Sequence, residues 1–170
     1  SAMLRCPVGG KATNLTKEEI PQDIYQEVAD VVLKETKRLA DLDDPIAKLW
    51  LESGFINRKM TKRPVMVVPY GGTRYSAMLY VEEYVKDQLR KGADFPIPEK
   101  ESLSQYINWM TTLVWKAIGE VVVSAREAMT WIREVSSMLS KKGFPVIWWT
   151  PTGLYIYQHY KAFKWRRIVT

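Results

Sequence analysis

Arg58-Lys59-Met60-Thr61-Lys62-Arg63-Pro64-Val65-Met66-Val67-Val68-Pro69-Tyr70-Gly71-Gly72 is the stretch on which the reading of this chain turns. Arg58 and Lys62 stand four residues apart, which puts them on one helix face about a turn from each other. Tyr70 follows eight residues after Lys62, where Gly71 offers a helix stop. Two cations on one face and an aromatic ring at the helix end suit a nucleotide. The planar fork of arginine and the mobile point charge of lysine can follow triphosphate oxygens, and the ring can lie by the sugar or base. A solvated basic face ending in Tyr-Gly has the same spacing and is the plainer reading, since basic pairs of this kind are common on helix surfaces.

Seven residues of the stretch, Arg58, Lys62, Arg63, Val65, Met66, Tyr70 and Gly71, form the pattern R-x3-K-[RK]-x-V-M-x-x-x-Y-G. This pattern resembles the fingers motif of the single-subunit DNA-directed RNA polymerases of bacteriophage and mitochondrial type. Three further segments are similar to the same family in order and spacing. They are Ser1-Ala2-Met3-Leu4-Arg5 with Val8-Gly9-Gly10 and Asn14-Leu15, then Pro21-Gln22-Asp23-Ile24-Tyr25, and Trp148-Trp149-Thr150-Pro151-x-Gly153. The family's D-G-x-C and H-D-S stretches, which carry the palm aspartates that bind two magnesium ions, do not occur in the chain. The chain therefore reads as an internal piece, the fingers with a margin of palm.

The resemblance implies roles residue by residue. Arg58, Lys62, Tyr70 and Gly71 would bind the incoming NTP. Lys62 would aid the leaving pyrophosphate, and Tyr70 would sense the ribose 2′-hydroxyl and the base-pair slot, so these two are the catalytic candidates. Arg63 and Met66 would line the template side, and Tyr75 would stack near the downstream DNA edge, although a core place for Tyr75 fits equally well. Mg2+ would be the parent enzyme's cofactor, with no metal held by this chain. The partners would be DNA template, RNA product, NTPs and the remaining polymerase domains. Without the palm aspartates, the chain alone is expected to be inactive. A phage or prophage source would place it in the cytoplasm of a bacterial host.

Composition bears on these readings. With 170 residues and 46% hydrophobic content, the chain suits one unit over residues 1–170. Seven Trp and nine Tyr are a heavy aromatic load, part of it core and part suited to surfaces that face a larger protein. A net charge of +6 fits a polyanionic partner. Its distribution is more telling: Arg58, Lys59, Lys62, Arg63 and Arg74 cluster around the motif, and Lys161, Lys164, Arg166 and Arg167 form a second group. Single Cys6 excludes an internal disulfide and, with only His159 for company, argues against a Cys/His zinc site. Cys6 also departs from the family, which has an acidic residue there. No apolar run approaches the ~20 residues of a membrane span, and no signal peptide is visible. The acidic groups Glu18-Glu19, Asp41-Asp43-Asp44 and Glu82-Glu83 read as structural, as does His159.

The periodicity predicts a mainly helical α+β fold. Residues 1–17 read as irregular. A helix is expected over 22–39 with Ile24, Val28, Val31, Val32 and Leu39 inward. Another starts at Asp44-Pro45 and ends at Gly54. In the motif, Pro64 and Pro69 leave two readings, a helix from near Thr61 or a kinked helix from Arg58. Helices are expected over 74–91, with Tyr75, Met78, Leu79, Val85 and Leu89 inward, and over 102–118 and 124–141; Val121-Val122-Val123 fits helix or strand. Two β-rich runs flanking Pro151-Thr152-Gly153 predict a hairpin from the palm side, with one of Trp148 and Trp149 in a core. Phe163 to Val169 suits a third strand. A non-catalytic basic helical module that binds nucleic acid accounts for the charge and the aromatics but not for the four family segments; a phage structural or inhibitor protein is a further alternative.

Overall fold

The computed structural model describes residues 5–98 and 101–159. Two compact units are distinguished, Ser1–Glu127 and Ala128–Thr170. The division falls inside the helix Val123–Lys141, none of whose residues is fully buried.

In the first unit, Asp23 caps α2 (Ile24–Asp41), its Oδ1 accepting from the amides of Tyr25 and Gln26 at 3.0 and 3.3 Å. Pro21 lies before the cap. Val28, Ala29, Val32 and Thr36 form the buried stripe, while Ile24, Val31 and Leu39 are half-buried at its edge. Asp44 caps α3 (Pro45–Ser53) as expected, and Gly54 ends it. The helices α4 (Arg58–Met66), α5 (Arg74–Arg90) and α6 (Leu103–Val121) complete the body. α6 packs on α2 and α5, and α4 packs between the same two helices. Trp50 is wholly buried at the centre, with Phe95 edge-on at 4.8 Å and its indole N–H donating to the Tyr106 carbonyl at 3.3 Å. Phe55 stacks on Phe95 at 5.5 Å. The Tyr106 hydroxyl donates to the Glu101 carboxylate, a bond that pushes its pKa up to about 12, with burial adding to the rise.

In the first unit, three expectations about the elements differ from the fold. Residues Pro7–Ala12 form a short helix, α1, within the segment read as irregular. Cys6 is its N-cap, the sulfur accepting from the Gly9 amide at 3.3 Å, which explains why an acidic residue suits that place. The buried face of α5 is Ala77, Val81 and Val85, and Tyr75 and Leu79 are exposed. Tyr75 lies in the first turn, beside a capping box of Thr73 and Ser76. Val121-Val122-Val123 is neither strand nor helix interior: Val122 (φ −106°, ψ 47°) separates α6 from α7 (Val123–Lys141).

In the second unit, β1 (Val146–Trp149) and β2 (Tyr155–Gln158) pair antiparallel, Val146 opposite Gln158 and Trp149 opposite Tyr155. The Gly153 amide donates to the Thr150 carbonyl at 2.9 Å, and Gly153 takes φ 84°, the left-handed residue of a three-residue hairpin loop. Trp148 and Trp149 are both exposed, contrary to the expectation that one is core, because a two-stranded sheet offers no covered face within its own unit. The proposed third strand lies outside the described residues. Mainly helical structure with one small antiparallel sheet is the fold class the sequence predicts.

Candidate nucleotide and nucleic-acid site

The Asn57 side chain accepts from the Lys59 amide at 2.9 Å and starts α4 at Arg58. Pro64 is therefore interior and buried, not in a first turn. Its missing N–H leaves the Met60 carbonyl without its helical donor. The helix stops at Met66, and a 3-10 turn, Val68–Tyr70, carries the chain on with Pro69 inside it. The Gly72 amide bonds the Val67 carbonyl at 2.8 Å and the Gly71 amide bonds Val68 at 3.0 Å, a Schellman closure with Gly71 at φ 88°. Tyr70 is the last residue before that closure, which holds its backbone while leaving the side chain 87% exposed.

Arg58, Lys62 and Met66 recur every four residues along one side of α4, and Tyr70 follows in the 3-10 turn. Met66 is 49% exposed. Lys62 is exposed and has no side-chain partner among the described residues. Arg58 is different. Its Nε donates to Asp23 Oδ2, and its guanidinium lies over the Tyr25 ring, 5.2 Å from the centroid. The Thr61 hydroxyl, wholly buried, donates to the Tyr25 carbonyl at 2.7 Å. The start of α2 thus grips the start of α4. Burial acts to raise the Asp23 pKa, but Arg58 and the two capped amides together hold it below the usual carboxylate value.

Arg63 turns the other way. Its Nη1 meets Glu83 of α5 at 2.6 Å and its guanidinium covers Tyr80 at 4.8 Å; the Glu83 bond raises its pKa further. Arg74 is also committed: its Nη2 donates to Asn108 Oδ1 at 2.6 Å and Thr112 Oγ1 at 2.8 Å on α6. Of the five cations clustered in sequence, only Lys59 and Lys62 lack side-chain partners among the described residues. Tyr75 is 65% exposed, an open ring and not part of the core. The second basic group, Lys161 to Arg167, lies outside the described residues. Asp23, Tyr25 and Thr61 were missed as site residues by spacing arguments; Asp23 directly before the periodic run is the one signal that marks it, as a cap.

The model of the DNA-dependent RNA polymerase family matches residues 1–170. The chain belongs to that family. The mitochondrial DNA-directed RNA polymerase of Mus musculus is 36% identical over 160 residues, covering 94% of this chain and 12% of that protein. T7 RNA polymerase of Escherichia phage T7 is 29% identical over 203 residues, covering 95% of this chain and 22% of that protein. DNA-directed RNA polymerase 2A of Nicotiana tabacum is 31% identical over 166 residues, covering 95% of the chain and 48% of that protein. The chain thus spans less than half of each of these polymerases. Among the described residues, no three His, Cys, Asp or Glu side chains come together as a metal-binding group. Three of the acidic residues singled out in the sequence serve structure: Asp44 caps α3, Glu82 pairs with Lys86, and Glu83 pairs with Arg63. No helix of the described residues is long and apolar enough to cross a membrane.

Proposed function

We propose that this chain is the fingers portion of a DNA-directed RNA polymerase of the phage and mitochondrial type, where it binds the incoming NTP and the template. The observation that carries the reading is the outward row of α4, in which Lys62 stands without a side-chain partner among the described residues between Arg58 and exposed Met66, with exposed Tyr70 in the 3-10 turn beyond. The parent reaction is attack of a 3′-hydroxyl on the α-phosphate of an NTP, with pyrophosphate leaving. Lys62 and the free edge of Arg58 bind triphosphate oxygens, and the ammonium neutralises charge that grows on the pyrophosphate. Tyr70, at the helix end, lies by the ribose and the base. Met66 and Arg63 line the template side from α4, and Tyr75 offers a stacking contact to DNA. Mg2+ would be held by parts of the polymerase outside this chain. For a phage or prophage polymerase the setting is the bacterial cytoplasm.

A primer–template extension assay with the pure 170-residue chain, all four NTPs and Mg2+ tests the reading. No extension is expected, because the family's D-G-x-C and H-D-S stretches do not occur in the chain; reproducible template-directed extension overturns it. The same chain is expected to bind short DNA weakly, with affinity falling as salt rises, roughly one unit of log–log slope per phosphate neutralised. A fluorescence titration at several salt concentrations measures this, and absence of binding at low salt removes the nucleic-acid part of the proposal.

A further inference from the structure

We infer that Asp23 is a positioning residue for the phosphate grip: it holds Arg58 by Nε so that the remaining guanidinium edge faces the triphosphate. The inference rests on the proposed function and names a residue that the proposal does not use. One carboxylate performs two tasks. Oδ1 accepts from the Tyr25 and Gln26 amides at 3.0 and 3.3 Å, which fixes the carboxylate to the helix start. Oδ2 takes the Arg58 Nε–H. A side chain locked by two backbone bonds is a firm anchor, whereas an arginine on a solvated helix face sweeps through many rotamers.

The other contacts agree with this. The Tyr25 ring covers one face of the guanidinium at 5.2 Å. The Thr61 hydroxyl bonds Tyr25's carbonyl at 2.7 Å, so the two helix starts hold a constant separation. With Nε taken and one face covered, Nη1 and Nη2 have no hydrogen-bond partner among the described residues. Lys62 stands one turn on along the same side of α4, also without a side-chain partner among the described residues. A bound Nε with open Nη atoms is the geometry that presents a two-pronged donor edge to phosphate. Holding Arg58 before the ligand arrives also removes side-chain entropy that binding otherwise loses.

The competing account is that Asp23 is a lid that phosphate must displace. The 170-residue chain distinguishes the two by NMR of its arginine and lysine side chains during titration with inorganic tripolyphosphate. Asp23→Asn serves as the comparison, because asparagine caps a helix about as well as aspartate and the thermal melt should stay in place. In the wild type, Lys62 and the Arg58 Nη signals should move while the Arg58 Nε–H signal keeps its position. In Asp23→Asn, the Arg58 response should shrink relative to that of Lys62. If tripolyphosphate drives the wild-type Nε–H signal to its Asp23→Asn position, or if Arg58 responds as strongly in the variant, Asp23 is not a positioning residue. If neither Arg58 nor Lys62 responds at any concentration, the triphosphate reading of α4 falls, and this inference with it.

Discussion

Lys62 and Arg63 are neighbours in α4 with opposite surroundings: Lys62 is exposed without a side-chain partner among the described residues, and Arg63 is held by Glu83 at 2.6 Å. Adjacent residues on a helix point about 100° apart, so one faces outward while the next reaches the α5 groove. In the full-length polymerase, Lys62→Ala should lower kcat/KM for every NTP alike, by about tenfold to a hundredfold, as a lost charge-assisted bond of ~1.5–3 kcal/mol predicts. Arg63→Ala should instead loosen the packing of α4 on α5 and lower Tm. Steady-state kinetics with each NTP, beside melts of both variants, check the contrast.

Tyr70→Phe keeps the ring and removes the hydroxyl. The side chain is 87% exposed, so Tm should not change. Bulk RNA synthesis should largely survive, and the preference for ribose over deoxyribose should fall. Incorporation of rNTPs and dNTPs by wild type and variant gives the answer; an unchanged ratio removes Tyr70 from the ribose-sensing role.

Gly71→Ala places a side chain at φ 88°, where only glycine is unstrained. The cost should be ~1–2 kcal/mol, seen as a lower midpoint in urea. Gly71→Asn should lose less, because asparagine tolerates the left-handed region.

Glu35 anchors α2 to α6, pairing with Arg38 at 2.8 Å and Lys116 at 3.4 Å. Chiefly the Arg38 hydrogen bond, against the opposing effect of burial, lowers its pKa from 4.5 to about 2. A carboxyl lowered on folding stabilises above its unfolded pKa and loses that contribution as pH falls through the folded one. Its support should therefore be full above pH 4.5 and vanish towards about 2. Glu35→Gln should be less stable at neutral pH and flatten the stability–pH curve across that range, as urea melts at stepped pH will show.

Trp50→Ala removes the centre of the aromatic cluster and its bond to the Tyr106 carbonyl. A loss of ~3–5 kcal/mol is expected, against a total of ~5–15 kcal/mol for a typical domain. Trp50→Phe should lose less and keep the fold; denaturant unfolding followed by circular dichroism measures both.

The sequence by itself determined what local chemistry controls. Asp44-Pro45 and Gly54 bound α3, Gly71 ends the motif element, and Pro151-Thr152-Gly153 turns the hairpin, because caps and left-handed residues act over a few bonds. Helical periodicity likewise gave α2 and α6 to within a few residues, and the motif pattern led to the polymerase family. Tertiary structure decided which cations are available. Arg58, Arg63 and Arg74 look alike in the sequence, yet each is claimed by a partner on a different helix, 35, 20 and 34 residues away in Asp23, Glu83 and Asn108. Such pairings depend on how α2, α5 and α6 surround α4, which no periodicity along one segment encodes. The same holds for Tyr75, Trp148 and Trp149: their types suit a core, but whether a ring is buried depends on what packs over it, and in this fold nothing in their own units does.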